Sequence, residues 1–160
     1  MGADVELFSI GVYGKSEVGF FRQLEDSAVD CLVDVRLRRG MRGPQYAFAN
    51  KSRLQSSLLE RHIDYRAEKA LAPPAEIRAL QKQADEIAQV SKRHRDSLSN
   101  RFISEYIAHI SSFDFDGFFA SLTGRTHIAF FCVEAKWTAC HRSILVSEIS
   151  RRFQLRVTHL

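Results

Sequence analysis

The sequence predicts an α/β fold, a single domain with a mainly parallel sheet of about five strands flanked by helices. Short apolar runs that suit buried strands alternate with longer segments whose apolar residues recur at helical spacing, and this alternation favours parallel strands. With 160 residues, 45% of them hydrophobic, the chain can bury one sizeable core. We therefore assign residues 1–160 to one domain, with a helical insertion at about 74–122.

The first half of the chain contains three predicted strands separated by two helices. Residues 7–12, 31–35 and 63–66 are apolar or β-branched runs that suit strands. Ser16 is the expected N-cap of a helix that runs to about residue 28, and Asn50 is that of a helix to about residue 62. The pair Pro73-Pro74 then ends this half.

The second half begins with the helical insertion, which precedes the fourth strand. Its first helix has a narrow apolar stripe from Ile77 to Ile87 in an otherwise charged segment. A second helix starts near Ser99, and a short helix rich in phenylalanine follows. Residues 126–131 predict the fourth strand, which leads to Cys132. A helix that starts at residue 140 or 141 and a strand over residues 155–159 complete the fold.

Composition argues against a disulfide-rich secreted domain and against a membrane protein. The three cysteines form no disulfide framework, and we find neither a signal peptide nor an apolar stretch long enough to cross a bilayer. We expect a reduced, cytoplasmic protein without membrane contacts. The sequence predicts no oligomeric state.

Arginines cluster directly after the second predicted strand. This group comprises Arg36, Arg38, Arg39 and Arg42. Because ligands of parallel sheets bind where strands end, we predict that these arginines contact an anionic ligand. The net charge of +4 is modest, so the position of the cations matters more than their sum. A second basic group fits a solvated helix face. Its members are Lys92, Arg93, Arg95 and Arg101.

The most informative segment connects the fourth strand to the last helix. It carries two thiols, a carboxylate, an imidazole and a guanidinium, at Cys132, Glu134, Cys140, His141 and Arg142. A thiol at a helix start near an arginine is biased toward thiolate, which suits a nucleophile. We predict catalytic roles for Cys140, His141 and Glu134, and ligand binding by Arg142. Core packing is the alternative for both cysteines, and it is favoured for Cys132.

Further polar residues follow the other predicted strands and should converge on the same edge of the sheet. They are Tyr13, Lys15, Asp34 and Lys69. We assign a catalytic role to Asp34 and ligand binding to the other three. The predicted ligand is an anionic, phosphate-bearing small molecule or a nucleotide, because guanidinium groups bind such oxygens in pairs.

Two alternative uses of these residues stay open. In a nucleic-acid-binding module, the loop that carries Arg36, Arg38, Arg39 and Arg42, called the arginine loop below, would contact phosphates. The cysteines would then serve only in core packing. A metal site would use Cys132, Glu134, Cys140 and His141. The separation of the two cysteines and the adjacency of Cys140 to His141 are unusual for zinc ligands, so we predict no cofactor.

The segment Gly14-Lys15-Ser16 imitates part of a phosphate-binding loop of nucleoside triphosphatases. The loop is too short, however, because the position five before Gly14 is Ser9, inside the first strand. We interpret Ser16 as a helix cap instead.

Three segments form a distinctive pattern when taken together. They are Ser9-Ile10-Gly11, Leu32-Val33-Asp34-Val35-Arg36, and Cys132-Val133-Glu134 with Cys140-His141-Arg142-Ser143. The pattern resembles the family known as Domain of Unknown Function 488 over nearly the whole chain. The resemblance implies an α/β fold with a site at Asp34, Arg36 and the residues of the third segment, and it implies no reaction. Many relatives carry Gly-His-Ser where this chain has Gly11-Val-Tyr-Gly-Lys-Ser16.

Overall fold

A computed structural model describes residues 5–92 and 94–160, and its strands agree with the predicted ones to within one residue at each end. They are β1 (Glu6–Gly11), β2 (Cys31–Asp34), β3 (Asp64–Ala67), β4 (His127–Cys132) and β5 (Arg156–His159). All pair in parallel, in one sheet of order β3-β2-β4-β1-β5. The predicted α/β fold with a parallel sheet is therefore confirmed.

The described residues include six α-helices that flank the sheet. They are α1 (Glu17–Asp26), α2 (Lys51–Leu59), α3 (Ala75–Ile87), α4 (Asn100–Ser111), α5 (Phe115–Ser121) and α6 (His141–Phe153). Helices α1 and α2 pack on one face of the sheet, and α4, α5 and α6 pack on the other. Helix α3 packs on α4. None of the described helices combines the length and the apolar character needed to cross a membrane.

The central strand β4 is apolar throughout because both of its faces are covered. Every residue of β4 after His127 is buried. Ile128 and Phe130 belong to the core beneath α4 to α6, whereas Ala129 and Phe131 belong to the core beneath α1 and α2. A continuous apolar run is typical of a parallel strand covered on both faces.

Helices α1 and α2 begin as predicted but differ in how they are capped. The Ser16 hydroxyl accepts a hydrogen bond from the Gly19 amide at 3.1 Å, which confirms the predicted cap of α1. Asn50 occupies the N-cap position of α2, yet its side chain accepts from the Met41 amide at 2.5 Å instead of from α2. Asn50 therefore ties down the arginine loop, and the prediction that its side chain caps α2 is wrong.

Helices α1 and α2 also end slightly earlier than the sequence predicts. The residues expected to be last, Ala28 and His62, have left-handed backbone conformations with φ values of 50° and 57°. A left-handed residue closes a helix because its carbonyl can no longer continue the helical hydrogen bonds.

The topology opens a crevice between β2 and β4. These strands are neighbours, but the chain after β2 leads to α2 on one face of the sheet, and the chain after β4 leads to α6 on the other. Connections that leave neighbouring parallel strands toward opposite faces separate at the carboxyl edge and make room for a ligand. Most of the predicted site residues lie at the ends of these two strands or on these two connections, whereas Tyr13 and Lys15 follow β1 and Lys69 follows β3.

Candidate functional site

A cleft of about 640 Å³ opens at the carboxyl ends of β2 and β4. Its walls come from the segment after β2, from α3 with the loop that follows it, and from the β4–α6 connection. Eight of the predicted site residues line it: Tyr13, Arg36, Arg38, Arg42, Cys132, Glu134, Cys140 and His141. Another cavity, of about 400 Å³, lies at the amino edge of the sheet near Val5 and Thr126 and contains none of them.

Arg36 is buried at the cleft wall and is held by Asp34. The guanidinium donates to both Asp34 carboxylate oxygens, from Nε at 2.9 Å and from Nη2 at 2.7 Å. The Cζ atom of the guanidinium lies 4.4 Å from the centre of the Phe131 ring, so the guanidinium also stacks on this ring. Arg36 is 3% exposed, and its remaining amino group, Nη1, is buried without a hydrogen-bond partner among the described residues. Such an orphaned donor is costly, and an anion oxygen would satisfy it.

Asp34 does not face the cleft. Besides the two Arg36 side-chain donors, its carboxylate accepts from the Arg36 amide at 3.1 Å and from the Tyr65 hydroxyl at 2.7 Å. The residue is fully buried. With its oxygens occupied by these donors, Asp34 orients Arg36, and the catalytic role expected for Asp34 stays a prediction.

Two thiols and an imidazole gather at the inner end of the cleft. Cys132 ends β4, Cys140 is the N-cap of α6, and His141 is the first residue of that helix. Nδ1 of His141 lies 3.8 Å from Cys132 Sγ and 4.0 Å from Cys140 Sγ. The Tyr106 ring packs edge-on against the imidazole, with 5.4 Å between ring centres. Nε2 of His141 is buried and has no partner among the described residues.

The three cysteines differ in acidity. Burial opposes ionisation of Cys140, but the Cys132 hydrogen bond and the positive charges at His141 and Arg142 hold the pKa of Cys140 well below its usual range. The same hydrogen bond, together with burial, raises the pKa of Cys132. Burial and neighbouring carboxylates raise the pKa of Cys31 to about 12. Cys140 is therefore the more acidic of the two buried thiols Cys140 and Cys31.

The buried side chain of Arg142 holds the backbone of the β4–α6 connection in place. It is fully buried, does not line the cleft, and donates to the backbone oxygens of Glu134 at 2.6 Å and Ala135 at 3.4 Å. A Cβ at Gly11 would lie only 2.0 Å from the same Glu134 oxygen, so β1 and this connection meet backbone to backbone. The guanidinium of Arg142 thus already holds two carbonyl groups, and the expectation that it contacts an anion stays a prediction.

Three further predicted ligand-binding residues lie outside the cleft. The Lys15 ammonium donates to Gln23 at 2.5 Å, and burial and the Arg142 charge lower the pKa of Lys15. Lys69 is exposed in a short 3-10 turn that follows β3. Arg39 follows Arg38 in the arginine loop but does not line the cleft. The chain order brings these three residues to the same edge of the sheet as the cleft, but tertiary packing leaves them outside its lining.

Helix α3 contributes cleft residues that the sequence analysis missed. Arg78, Lys82 and Asp85 recur every three or four residues and all line the cleft. Their helical spacing on a charged segment was the available signal, but it also fits a solvated face. Lys92 and Arg95, predicted to lie on such a face, line the cleft as well, whereas Arg93 falls outside the described residues.

Ion pairs occupy both carboxylates that line the cleft, Glu134 and Asp85. Lys92 lies 2.8 Å from the Glu134 carboxylate, and Arg95 lies 2.9 Å from that of Asp85. Arg95 also donates to the Ala139 carbonyl at 3.0 Å, which fixes the β4–α6 connection against α3. Of the exposed cations that line the cleft, three on two of its walls have no ion-pair partner among residues 5–92 and 94–160. They are Arg38, Arg42 and Arg78.

The comparison with protein families supports the pattern seen in the sequence. The model of DUF488, a domain of unknown function, matches residues 18–149. The chain belongs to the DUF488 family. The matched range contains Arg36 and the whole Cys132–Arg142 segment, so membership confirms the resemblance that these residues indicated. No curated protein and no solved structure matches this DUF488 chain.

Proposed function

We propose that this DUF488 protein is an enzyme that acts on a small, phosphate-bearing anion bound in the cleft between β2 and β4. The observation that carries the proposal is Arg36, whose guanidinium is buried, fixed by Asp34, and left with one amino group that has no partner in the described part of the chain. A guanidinium that is already oriented loses little conformational freedom when it binds an oxyanion.

The charges around Arg36 support an anionic ligand. The two carboxylates that line the cleft, Glu134 and Asp85, are each paired with a cation. Arg38 and Arg42 on one wall and Arg78 on the other are therefore available to a ligand. Cations on two sides of a concave surface add their potentials and concentrate anions within it.

The inner end of the cleft supports an enzyme over a simple binding module. Cys132, Cys140 and His141 lie together in the same cleft as the cations. Thiol and imidazole groups can act as nucleophiles, proton carriers or metal ligands, and anion binding alone requires none of them. A cleft that combines convergent cations with such a cluster is the usual setting of catalysis.

The proposal is tested by calorimetric titration with inorganic pyrophosphate and with a nucleoside monophosphate, using the uncharged nucleoside for comparison. We expect both phosphate compounds to bind and the nucleoside not to. Arg38→Ala, Arg42→Ala and Arg78→Ala should each weaken binding by about tenfold, because hydrogen bonds to charged groups contribute about 1.5–3 kcal/mol.

The matched control is Arg22→Ala, which removes an exposed cation of α1 outside the cleft and should leave the affinity unchanged. Absence of binding by either phosphate compound, or equal losses in the control and the cleft variants, would contradict the proposal.

Nucleic acid is the second candidate ligand, because Arg38 and Arg42 are exposed on one loop. Such a loop can contact successive phosphates of a strand. The two candidates differ in salt dependence, because a nucleic acid releases condensed counterions when its phosphates are bound.

A further inference from the structure

We propose that Cys132, Cys140 and His141 form a binding site for a divalent metal ion of the zinc class, with one coordination position open to the cleft. The site goes beyond the proposed function, because it requires neither the anion nor the arginines that would bind it. Thiolate and imidazole are the ligand types that zinc prefers, and the donor set contains two of the first and one of the second.

The distances between the three donor atoms fit a single ion. Nδ1 of His141 lies 3.8 Å from Cys132 Sγ and 4.0 Å from Cys140 Sγ, and all three atoms lie within 4.8 Å of one another. Zinc bonds of about 2.3 Å to sulfur and about 2.0–2.1 Å to nitrogen, at tetrahedral angles, separate sulfur from nitrogen by about 3.6 Å. The two sulfur–nitrogen distances therefore match to within a few tenths of an ångström, and the two sulfurs, which lie within 4.8 Å of each other, would come to about 3.8 Å apart when bound to one ion.

The fold removes both objections that the sequence raised against a metal. The connection after β4 turns through a short 3-10 segment (Trp137–Ala139), which returns Cys140 to the side of Cys132. Cys140 has an extended backbone, with φ −131° and ψ 139°, whereas His141 begins α6. This change of backbone conformation brings two consecutive side chains to one wall of the cleft.

The site is held in place before any ion binds. Arg142 fixes the Glu134 end of the connection through its carbonyl, and Arg95 fixes the Ala139 end in the same way. Metal sites depend on ligands that their surroundings already hold near the coordination geometry.

Charge also favours a divalent ion here. Two thiolates neutralise a divalent cation, so the complete site carries no net charge in its buried position near Arg36 and Arg142. All three residues line the cleft, so a water molecule or a ligand oxygen can take the fourth position. A bound ion would supply Lewis-acid chemistry there.

Metal binding and attack by a free Cys140 thiolate are mutually exclusive. Cys140 is 1% exposed, which restricts the approach of a substrate to its sulfur but does not prevent coordination of a small ion. The geometry therefore favours a ligand role for Cys140, and the free nucleophile becomes the competing outcome of the experiment.

The experiment is a titration of the full chain with Co²⁺, which replaces zinc and absorbs light when bound to thiolates. We expect one equivalent to bind, with a thiolate-to-cobalt absorption band, and zinc to displace it. Cys132→Ser, Cys140→Ser and His141→Asn should each weaken binding by more than about 100-fold, because loss of even an outer partner costs about 10–100-fold. Cys31→Ser is the matched control, since Cys31 is a buried thiol outside the cluster, and it should leave the affinity unchanged.

A second measurement uses the unaltered protein, so its result does not depend on whether a variant folds. Zinc should suppress alkylation of Cys132 and Cys140, located by mass spectrometry. The proposal is overturned if Co²⁺ binds without the thiolate band, if Cys132→Ser binds as tightly as the unaltered protein, or if zinc leaves both alkylation rates unchanged. Pyrophosphate binding is measured separately, so loss of the metal site would leave the proposed function standing.

Discussion

Asp34 and Arg36 show how a buried residue can serve a site that it does not touch. The Asp34 carboxylate is occupied by donors from Arg36 and Tyr65, and one amino group of Arg36 remains without a partner among the residues that the structure describes. Replacement of Asp34 would therefore affect both the fold and the cleft. Both side chains of this ion pair are buried, and removing one partner of a buried ion pair strongly destabilises the folded state.

The first prediction concerns the stability that Asp34 contributes. Asp34→Asn should lower the free energy of unfolding by about 3–5 kcal/mol, because it leaves the buried Arg36 charge uncompensated. Urea denaturation at neutral pH measures this. Asp64→Asn is the control, since Asp64 pairs with Arg125 at the surface and should cost less than about 1 kcal/mol. Equal effects of the two variants would refute the structural role of the buried pair.

Tyr65 should make the fold sensitive to alkaline pH. Burial and the hydrogen bond to Asp34 raise the pKa of Tyr65 to about 12, above its unfolded value of about 10. The folded state thus favours the neutral phenol, and the resulting stabilisation is complete below about pH 10 and is lost as the pH rises toward 12.

The second prediction follows from this loss of stability at high pH. Tyr65→Phe should flatten the decrease in unfolding free energy between about pH 10 and 12, measured by urea denaturation at several pH values. The comparison is made in a Cys31→Ser background, because Cys31, with a pKa of about 12, contributes a similar decrease. An unchanged slope after Tyr65→Phe would mean that Tyr65 titrates normally in the folded protein.

At the scale of elements, the β4–α6 connection carries the Cys132, Cys140 and His141 cluster and is shaped by its neighbours. Its carbonyl oxygens are held by Arg142 and Arg95, and at Gly11 it meets the end of β1 without room for a side chain. The position of the cluster therefore depends on residues that contribute no group to it.

The third prediction tests the close approach at Gly11. Gly11→Ala places a Cβ 2.0 Å from the Glu134 carbonyl oxygen, so the connection must shift. Overpacking of this kind costs about 1–3 kcal/mol. Thermal unfolding should show the loss, and Co²⁺ affinity should fall with it. Gly40→Ala is the control, because a Cβ there would meet no atom of the described residues within 4 Å. If Gly11→Ala unfolds at the temperature of the control, the backbone contact is looser than the structure shows.

Local patterns predicted the elements of this fold well, but long-range packing decided which residues share the cleft. Apolar runs and turn residues place β4 and α6, and the parallel topology then brings Arg36 and Cys140 to one edge of the sheet. The direction in which Arg142 turns depends on the Glu134 carbonyl, which no local pattern reveals. The same limit applies to Arg78, because only the packing of α3 on α4 makes it part of the cleft.

At the scale of the whole molecule, the cleft joins parts of the chain that are far apart in sequence. The sheet brings the arginine loop after β2 opposite the β4–α6 connection, and the helical insertion closes a third side. A concave site with cations on more than one wall surrounds a small ligand more completely than it contacts a long strand.

The fourth prediction separates the small anion from nucleic acid. If nucleic acid were the ligand, its affinity would fall with rising salt concentration. Replacing Arg38, Arg39 and Arg42 with Ala would then flatten the plot of the logarithm of this affinity against the logarithm of the salt concentration. The slope would fall by about 0.9 for each duplex phosphate that is no longer bound, or by about 0.7 for single strands. We expect no such change in slope, and we expect pyrophosphate binding to weaken in the same variant. Titrations at several salt concentrations measure both quantities. A flatter slope with unaltered pyrophosphate binding would favour the nucleic-acid candidate.

The most direct test of the anion-binding cleft is a crystal structure of the protein soaked with tungstate, a tetrahedral anion located by its anomalous scattering. We expect an anomalous peak in the cleft, with a tungstate oxygen about 2.7–3.2 Å from Nη1 of Arg36 and with Arg38, Arg42 or Arg78 turned toward it. Tungstate confined to surface sites away from the cleft, with Arg36 Nη1 still unpartnered, would contradict the assignment of this cleft as an anion site.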